Sequence, residues 1–334
     1  MIRFILVVAL AVGCKSNDAP KPGSASAVPS ASPSNTTTGT ATQSAGSANG
    51  AADPWADDTP KALPPPKVTH PFERPFVWTA SKGGKTTILF GTVHGGVDAE
   101  HRIPMWVWNY FDHATTLIEE ANLQDLDIIR WTVRPDGPTL HQELGDEYWA
   151  KLEAVVTPMQ AGFMDTQATA VAALRVSGHG GNARDRAGPM DGELLVRAQG
   201  LKKKIEFLET GKYQSAMFGE LFDTAALKRL LDRKDELVPL NRQFLDAYVD
   251  GDETQFMQIA QAQFAVQADV GDTGGARIID RLLLARNKLW IPALEKAHAA
   301  GGAFVAVGAL HLIGAGSVVE LLRARGFTVE RATR

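Results

Sequence analysis

Residues 15–67 contain almost nothing that can enter a hydrophobic core, and this confines folding to the chain that follows. Ser, Ala, Thr, Gly, Asn and Pro make up nearly all of the stretch. Such a composition buries too little apolar surface to offset the entropy of ordering, which predicts a disordered tether over residues 15–70. As a flexible coil of about 50 residues it would span roughly 40 Å root-mean-square, with Leu63-Pro64-Pro65-Pro66 stiffening its end. The folding unit is then 71–334, long enough for a sizeable core.

Upstream of the tether, Met1-Ile2-Arg3 is a short positive start and residues 4–12 are continuously apolar. Leu10-Ala11-Val12-Gly13-Cys14 resembles a bacterial lipobox, so residues 1–14 read as a lipoprotein signal peptide. Cys14 is the only cysteine in the chain. A secreted protein with one thiol cannot close an internal disulfide, and acylation explains the residue. The expected partner is therefore a lipid bilayer, reached through the acyl chains of Cys14 at about 0.8 kcal/mol per buried methylene. Lys15, directly after the cysteine, resembles outer-membrane sorting, which places the domain in the cell envelope facing the periplasm or surface. No later apolar run is long enough to span a bilayer. Acylation would also remove the thiol from catalysis. The net charge is −4 and Lys202-Lys203-Lys204 is the sole basic run, so no nucleic-acid partner is expected.

Within 71–334 the pattern alternates. Residues 76–80 and 86–92 read as a hairpin turning at 81–84, residues 103–111 have helical spacing, and 115–119 is a short apolar strand. Helices are expected over 147–156, 158–176 and from Asp191, with a glycine-rich loop at 177–188. A strand at 204–208 is followed by helices at 214–232, 242–250, 253–267 and 277–300, the last broken or kinked at Pro292. Residues 303–307 and 327–330 are strands, and Ser317 with Glu320 forms a capping-box signature between them. The class is α/β: a mixed, largely parallel sheet flanked by helices, with a helical insertion between its third and fourth strands.

Four side chains fall at the carboxyl ends of these strands: His94, Glu120, Glu209 and His311. In a mostly parallel sheet such ends share one edge, where ligands bind. Two neutral imidazoles with one or two carboxylates can hold a divalent cation (manganese, cobalt and zinc all suit the set) and leave room for water or substrate. The cation can acidify a bound water, and a further carboxylate can act as base. Gly91 and Gly308, each three residues before a histidine, let the backbone approach closely. The bland alternatives are loop histidines and carboxylates serving as caps or salt-bridge partners. His101, His113, His141 and His298 read as surface residues and His179 as part of a solvent loop. No His-Glu-x-x-His helix, Gly-x-Ser-x-Gly elbow or phosphate-binding glycine loop is present.

The segments Ile88-Leu89-Phe90-Gly91-Thr92-Val93-His94, Leu117-Ile118-Glu119-Glu120, Pro189-Met190-Asp191, Phe207-Leu208-Glu209-Thr210, Arg286-Asn287 and Val307-Gly308-Ala309-Leu310-His311 resemble those of the TraB/GumN family, which includes pheromone-shutdown proteins and is related to the Tiki proteases. Asn122 departs from the pattern where Asp is common. The resemblance implies the α/β fold shared by Tiki, erythromycin-esterase-like and ChaN-like proteins. It also implies metal-dependent peptide hydrolysis, with His94, His311 and Glu120 as metal ligands, and Glu120, Glu209 and Arg286 as catalytic candidates. Arg286 either clamps a substrate carboxylate or oxyanion, or pairs with Glu120 or Glu209 and holds the site in shape. Asp191, Gln214 and Asn287 are supporting or substrate-contacting residues. Two functions follow from the same residues: a hydrolase acting on a peptide or small molecule, or a non-catalytic lipoprotein capturing a peptide, pheromone or haem-like ligand.

Overall fold

The computed structural model describes residues 70–122, 125–180, 189–268 and 271–334. The expected signal peptide, lipobox and tether, and 181–188 of the glycine-rich loop, lie outside the described residues. Two apolar runs fold back on each other as β1 (Val77–Lys82) and β2 (Lys85–Thr92). Gly83 and Gly84 between them have φ of 58° and 73°, the backbone that a two-residue hairpin turn requires. β3 (Thr116–Ala121), β4 (Lys204–Glu209), β5 (Ala303–Gly308) and β6 (Thr328–Arg331) complete a six-stranded sheet ordered β4-β3-β5-β2-β1-β6. The pairs β2–β5, β5–β3 and β3–β4 are parallel, whereas β1 is antiparallel to both its neighbours. Only β1 is reversed, so the expected mixed, largely parallel α/β sheet is what the chain forms.

Topology then locates the functional edge. The chain leaving β3 returns at β4 on one side, and the chain leaving β5 returns at β6 on the other. Such divergence opens a crevice at the carboxyl ends of the strands between which it occurs. β5 lies at that point, with Ala303, Phe304, Val305, Ala306 and Val307 all buried, as a parallel strand covered on both faces should be. Gly91 shows why β2 can sit so close: a methyl group there would come within 2.9 Å of both Ala309 and Phe76.

Helices cover the sheet, and their breaks differ from expectation in places. The helix expected over 158–176 is two, Pro158–Met164 and Thr169–Ser177. A bridge from Val133 to Gln167 and the Arg134 N–H bond to Thr166 hold the segment between them extended. The helix expected over 214–232 is Gly211–Leu221 followed by Thr224–Asp232, because the Asp223 side chain accepts the Ala226 N–H and starts a new helix. The helix expected at 242–250 begins earlier, at Lys234, and runs Lys234–Asp250. Helices separate β3 from β4 as expected, and a second helical run separates β4 from β5. Pro292 does not break Ala285–Ala300. The carbonyl that loses its partner there is on Lys288, an exposed residue where water can replace the bond. Just before that helix, Asp280–Leu284 is a π-helix.

One core surrounds the sheet and includes Phe76, Leu89, Phe90, Leu117, Phe304 and Trp290; a second joins Leu140, Leu152, Leu174, Leu227 and Leu237 among the helices. His298, expected at the surface, is buried against the hairpin and Phe327. Its Nε2 donates to the Lys82 carbonyl at 2.9 Å and its Nδ1 accepts from the Thr87 hydroxyl at 3.0 Å. Among the described residues no helix is long and apolar enough to cross a membrane.

Candidate functional site

His94 lies two residues past β2, and its imidazole is oriented from an element 97 residues away. Asp191 occupies the first turn of the helix Met190–Gly200, where a carboxylate is favoured by the unpaired N–H groups. Its Oδ2 accepts from His94 Nδ1 at 2.7 Å, and its Oδ1 accepts from the Thr92 hydroxyl at 2.7 Å. Burial would raise the Asp191 carboxyl, but His94 and these two hydrogen bonds hold it below the usual carboxylate range. An ionised carboxylate only accepts, so His94 Nδ1 carries a proton.

His311 sits in the 3-10 turn Ala309–His311 that follows β5. Its Nδ1 is 2.6 Å from Asn287 Oδ1, and the Asn287 amide is fixed in turn by donating to the Gly316 carbonyl at 2.9 Å. On the other side, Arg286 Nη1 is 3.1 Å from His311 Nε2. Arginine only donates, so the lone pair is at Nε2 and the proton at Nδ1. Burial pushes the imidazole down to about 3, which keeps it neutral. Trp290 flanks the ring, with centroids 4.4 Å apart.

The acids converge on Arg286. Glu120 lies within β3, one residue before its end, and its Oε2 accepts from Arg286 Nη2 at 2.5 Å. Its Oε1 accepts the Gly308 N–H at 2.8 Å. Burial would raise this carboxyl, yet the Arg286 guanidinium and the Gly308 amide keep it well below the usual range. Glu209, the last residue of β4, accepts from Gln214 Nε2 at 3.1 Å, Arg286 Nη2 at 2.7 Å, Arg286 Nε at 3.0 Å and Trp290 Nε1 at 3.1 Å. Both its oxygens are thereby engaged, and burial still raises its carboxyl despite Arg286. Arg286 itself is buried and also donates to the Leu282 carbonyl at 2.9 Å. Burial opposes its charge, and the two glutamates overcome this and raise its basicity.

All four strand-end residues therefore meet. A methyl group placed on Gly308 would lie 3.3 Å from Glu120 Oε1, 3.5 Å from His311 Cδ2 and 3.8 Å from His94 Nε2. Glu120 Oε1 and His311 Nε2 are 3.7 Å apart. The bare Cα of Gly308 is the floor on which three functional groups assemble. Residues that sequence reasoning missed are Thr92, Trp290 and Glu119. Trp290 follows Arg286 by one helical turn, so for that residue spacing was the available signal.

The model of the TraB/PrgY/gumN family matches residues 76–331, nearly all of the described domain. The chain belongs to that family. No curated protein and no solved structure matches it.

The cation that membership of the TraB/PrgY/gumN family suggests can be tested against the donor set. Histidines that ligate a metal usually donate their other N–H to a carboxylate or carbonyl oxygen, and both do so here, to Asp191 and Asn287. One guanidinium also faces two carboxylates, Glu120 and Glu209, and a third carboxylate, Asp191, faces His94. Among the described residues no three His, Cys, Asp or Glu side chains are already closed round a common ion position. The groups are of the kind a divalent cation takes, but as placed they do not form a set that holds one, and Arg286 Nη1 rests on the lone pair of His311 Nε2.

Proposed function

We propose that the chain is a divalent-cation-dependent hydrolase of peptides, held at the bacterial cell envelope through an acylated Cys14. The observation that carries the activity is the meeting of His94, Glu120 and His311 over Gly308, with a proton on Nδ1 of each imidazole. His94, Glu120 and His311 would hold the cation, which when bound would polarise a scissile carbonyl and acidify water. The protein's own part is positional and electrostatic. Thr92 and Asp191 fix the His94 proton, and Asn287 fixes that of His311. Arg286 keeps Glu120 ionised, so its Oε1 can supply a lone pair or accept a proton. Glu209, saturated by Gln214, Arg286 and Trp290, anchors the guanidinium.

Elemental analysis and peptide hydrolysis by the detergent-solubilised chain test this reading. About one equivalent of divalent ion and measurable turnover are expected, both lost in His94→Ala/His311→Ala. Asp191→Asn should weaken ion binding by about 10- to 100-fold, the usual cost of losing an outer-shell partner. A wild-type chain that takes up no ion from micromolar solution ends the proposal. Arg286 lying on His311 favours a second reading, a ligand-capture protein for a peptide, pheromone or haem-like molecule. That reading gains support if the ion-loaded chain binds saturably and turns nothing over.

The envelope assignment rests on the lipobox-like Leu10-Ala11-Val12-Gly13-Cys14 and on Cys14 being the sole cysteine. Cys14→Ser is expected to move the chain from the membrane to the soluble fraction on cell fractionation. Retention of the variant in the membrane would remove the acyl anchor.

A further inference from the structure

We propose that Tyr248 is a positioning residue for His94, its hydroxyl tying the strand that leads to the histidine to the helix that carries Asp191. The inference rests on the reading that His94 works in the site, and adds what holds it there. His94 lies two residues past β2, whose last pairing with β5 is Thr92 against Gly308, so the sheet itself does not fix the imidazole. Its orientation comes from Asp191, in the first turn of Met190–Gly200, a helix that starts without a side-chain cap at Pro189. The His94–Asp191 geometry therefore depends on how the strand end and the helix start are held against each other.

Tyr248 sits at that junction. Its hydroxyl donates to the Gly91 carbonyl at 2.7 Å and lies 3.4 Å from Met190 Sδ. Gly91 precedes Thr92 and Met190 precedes Asp191. The hydroxyl thus touches the residue before each of two groups, Thr92 and Asp191, that hold each other at 2.7 Å. The anchor is itself rigid. Tyr248 is buried in the helix Lys234–Asp250, and its ring stacks on Phe76 at 5.2 Å with Phe72 and Phe256 packed around it. Burial and the Asp191 charge keep the phenol protonated, so it remains a donor. A buried carbonyl stripped of its donor carries a desolvation cost, and Gly91 would have to shift toward another partner to relieve it. Such a shift moves Thr92 and His94 relative to Asp191.

The test is histidine-selective nitrogen-15 NMR of the detergent-solubilised full chain, with no ion added, on wild type and Tyr248→Phe. Phenylalanine keeps the stacked ring and removes the hydroxyl. The His94 Nδ1 proton is expected to shift and to exchange with solvent about 10-fold faster, the equivalent of one hydrogen bond. The His311 Nδ1 proton, held by Asn287, should stay as it is and serves as the internal reference. Phe72→Leu thins the same aromatic cluster and keeps the hydroxyl. It should lower the urea midpoint and leave the His94 proton as in the wild type. An unchanged His94 proton in Tyr248→Phe, or an equal change in Phe72→Leu, overturns the proposal. A change that reaches both histidines alike also overturns it, since that marks a general loosening of the fold. The proton is read in the unloaded chain, so a failure of ion uptake or turnover would end the hydrolase reading while this result stood on its own.

Discussion

Replacing Arg286 with methionine is expected to destabilise the domain by about 3–5 kcal/mol at neutral pH, as removal of one partner from a buried ion network does. The guanidinium is buried and supplies hydrogen bonds to Glu120, Glu209, His311 and Leu282. Methionine fills much of its volume but leaves two carboxyl groups without a cation. The Glu120 carboxyl, now held low because Arg286, the two histidines and the Gly308 amide together outweigh its burial, should then rise. Stability derived from a depressed carboxylate is present above its unfolded value and lost as pH falls through the folded one. The deficit of the variant is accordingly largest at neutral pH and shrinks in acid, as its two carboxyl groups take up protons and no longer need the arginine. Urea unfolding at pH 7 and at pH 4, on wild type and Arg286→Met, measures both effects. A loss under about 1 kcal/mol at pH 7 would mean that Arg286 is not the charge that holds the acids together.

How far this centre could be seen in advance depends on how local each constraint is. His94, Glu120, Glu209 and His311 were legible because parallel strands bring their carboxyl ends to one edge, whatever lies between them in sequence. The exact strand bounds were less so, since Glu120 proved to be inside β3 and not beyond it. The role of Arg286 stayed open in the sequence for a physical reason. Its partners are 166 and 77 residues away, and no spacing rule couples a helix residue to two strand ends at that range. The structure seats it on both glutamates. The helix breaks near Thr166 and Asp223 were hidden differently. One depends on long-range pairing of Val133 with Gln167, and the other on an aspartate cap inside a run that is otherwise helical in pattern. His298 misled because its buried partners, Thr87 and the Lys82 carbonyl, belong to the hairpin more than 200 residues earlier.

Glu119 is the clearest case of a residue whose meaning appears only in three dimensions. Strand alternation turns it away from Glu120, toward what the sequence alone would take for solvent. The helix Met190–Gly200 packs on β3 instead, and Glu119 is buried with no hydrogen-bond partner at Oε1. Burial, reinforced by Asp191 and Glu120, pushes its carboxyl up to about 9 from 4.5. The folded chain therefore keeps this proton while the unfolded chain releases it above pH 4.5. Stability should fall as pH rises from about 4.5 to about 9, by up to about 1.4 kcal/mol per pH unit. His311 has the opposite sign. Its folded value of about 3 lies below the unfolded 6.5, so its contribution is full above pH 6.5 and is lost on acidification. The two slopes cancel between about pH 4.5 and 6.5, which leaves the wild type with a plateau there and a decline on the alkaline side. Glu119→Gln cannot ionise and has nearly the same shape, so its stability should rise through pH 4.5–6.5 and stay level up to pH 9. At pH 8 the variant is expected to be the more stable by a few kcal/mol. Urea midpoints for both proteins at several pH values from 5 to 9 decide the matter: parallel profiles would show that Glu119 ionises in the folded chain as it does in water.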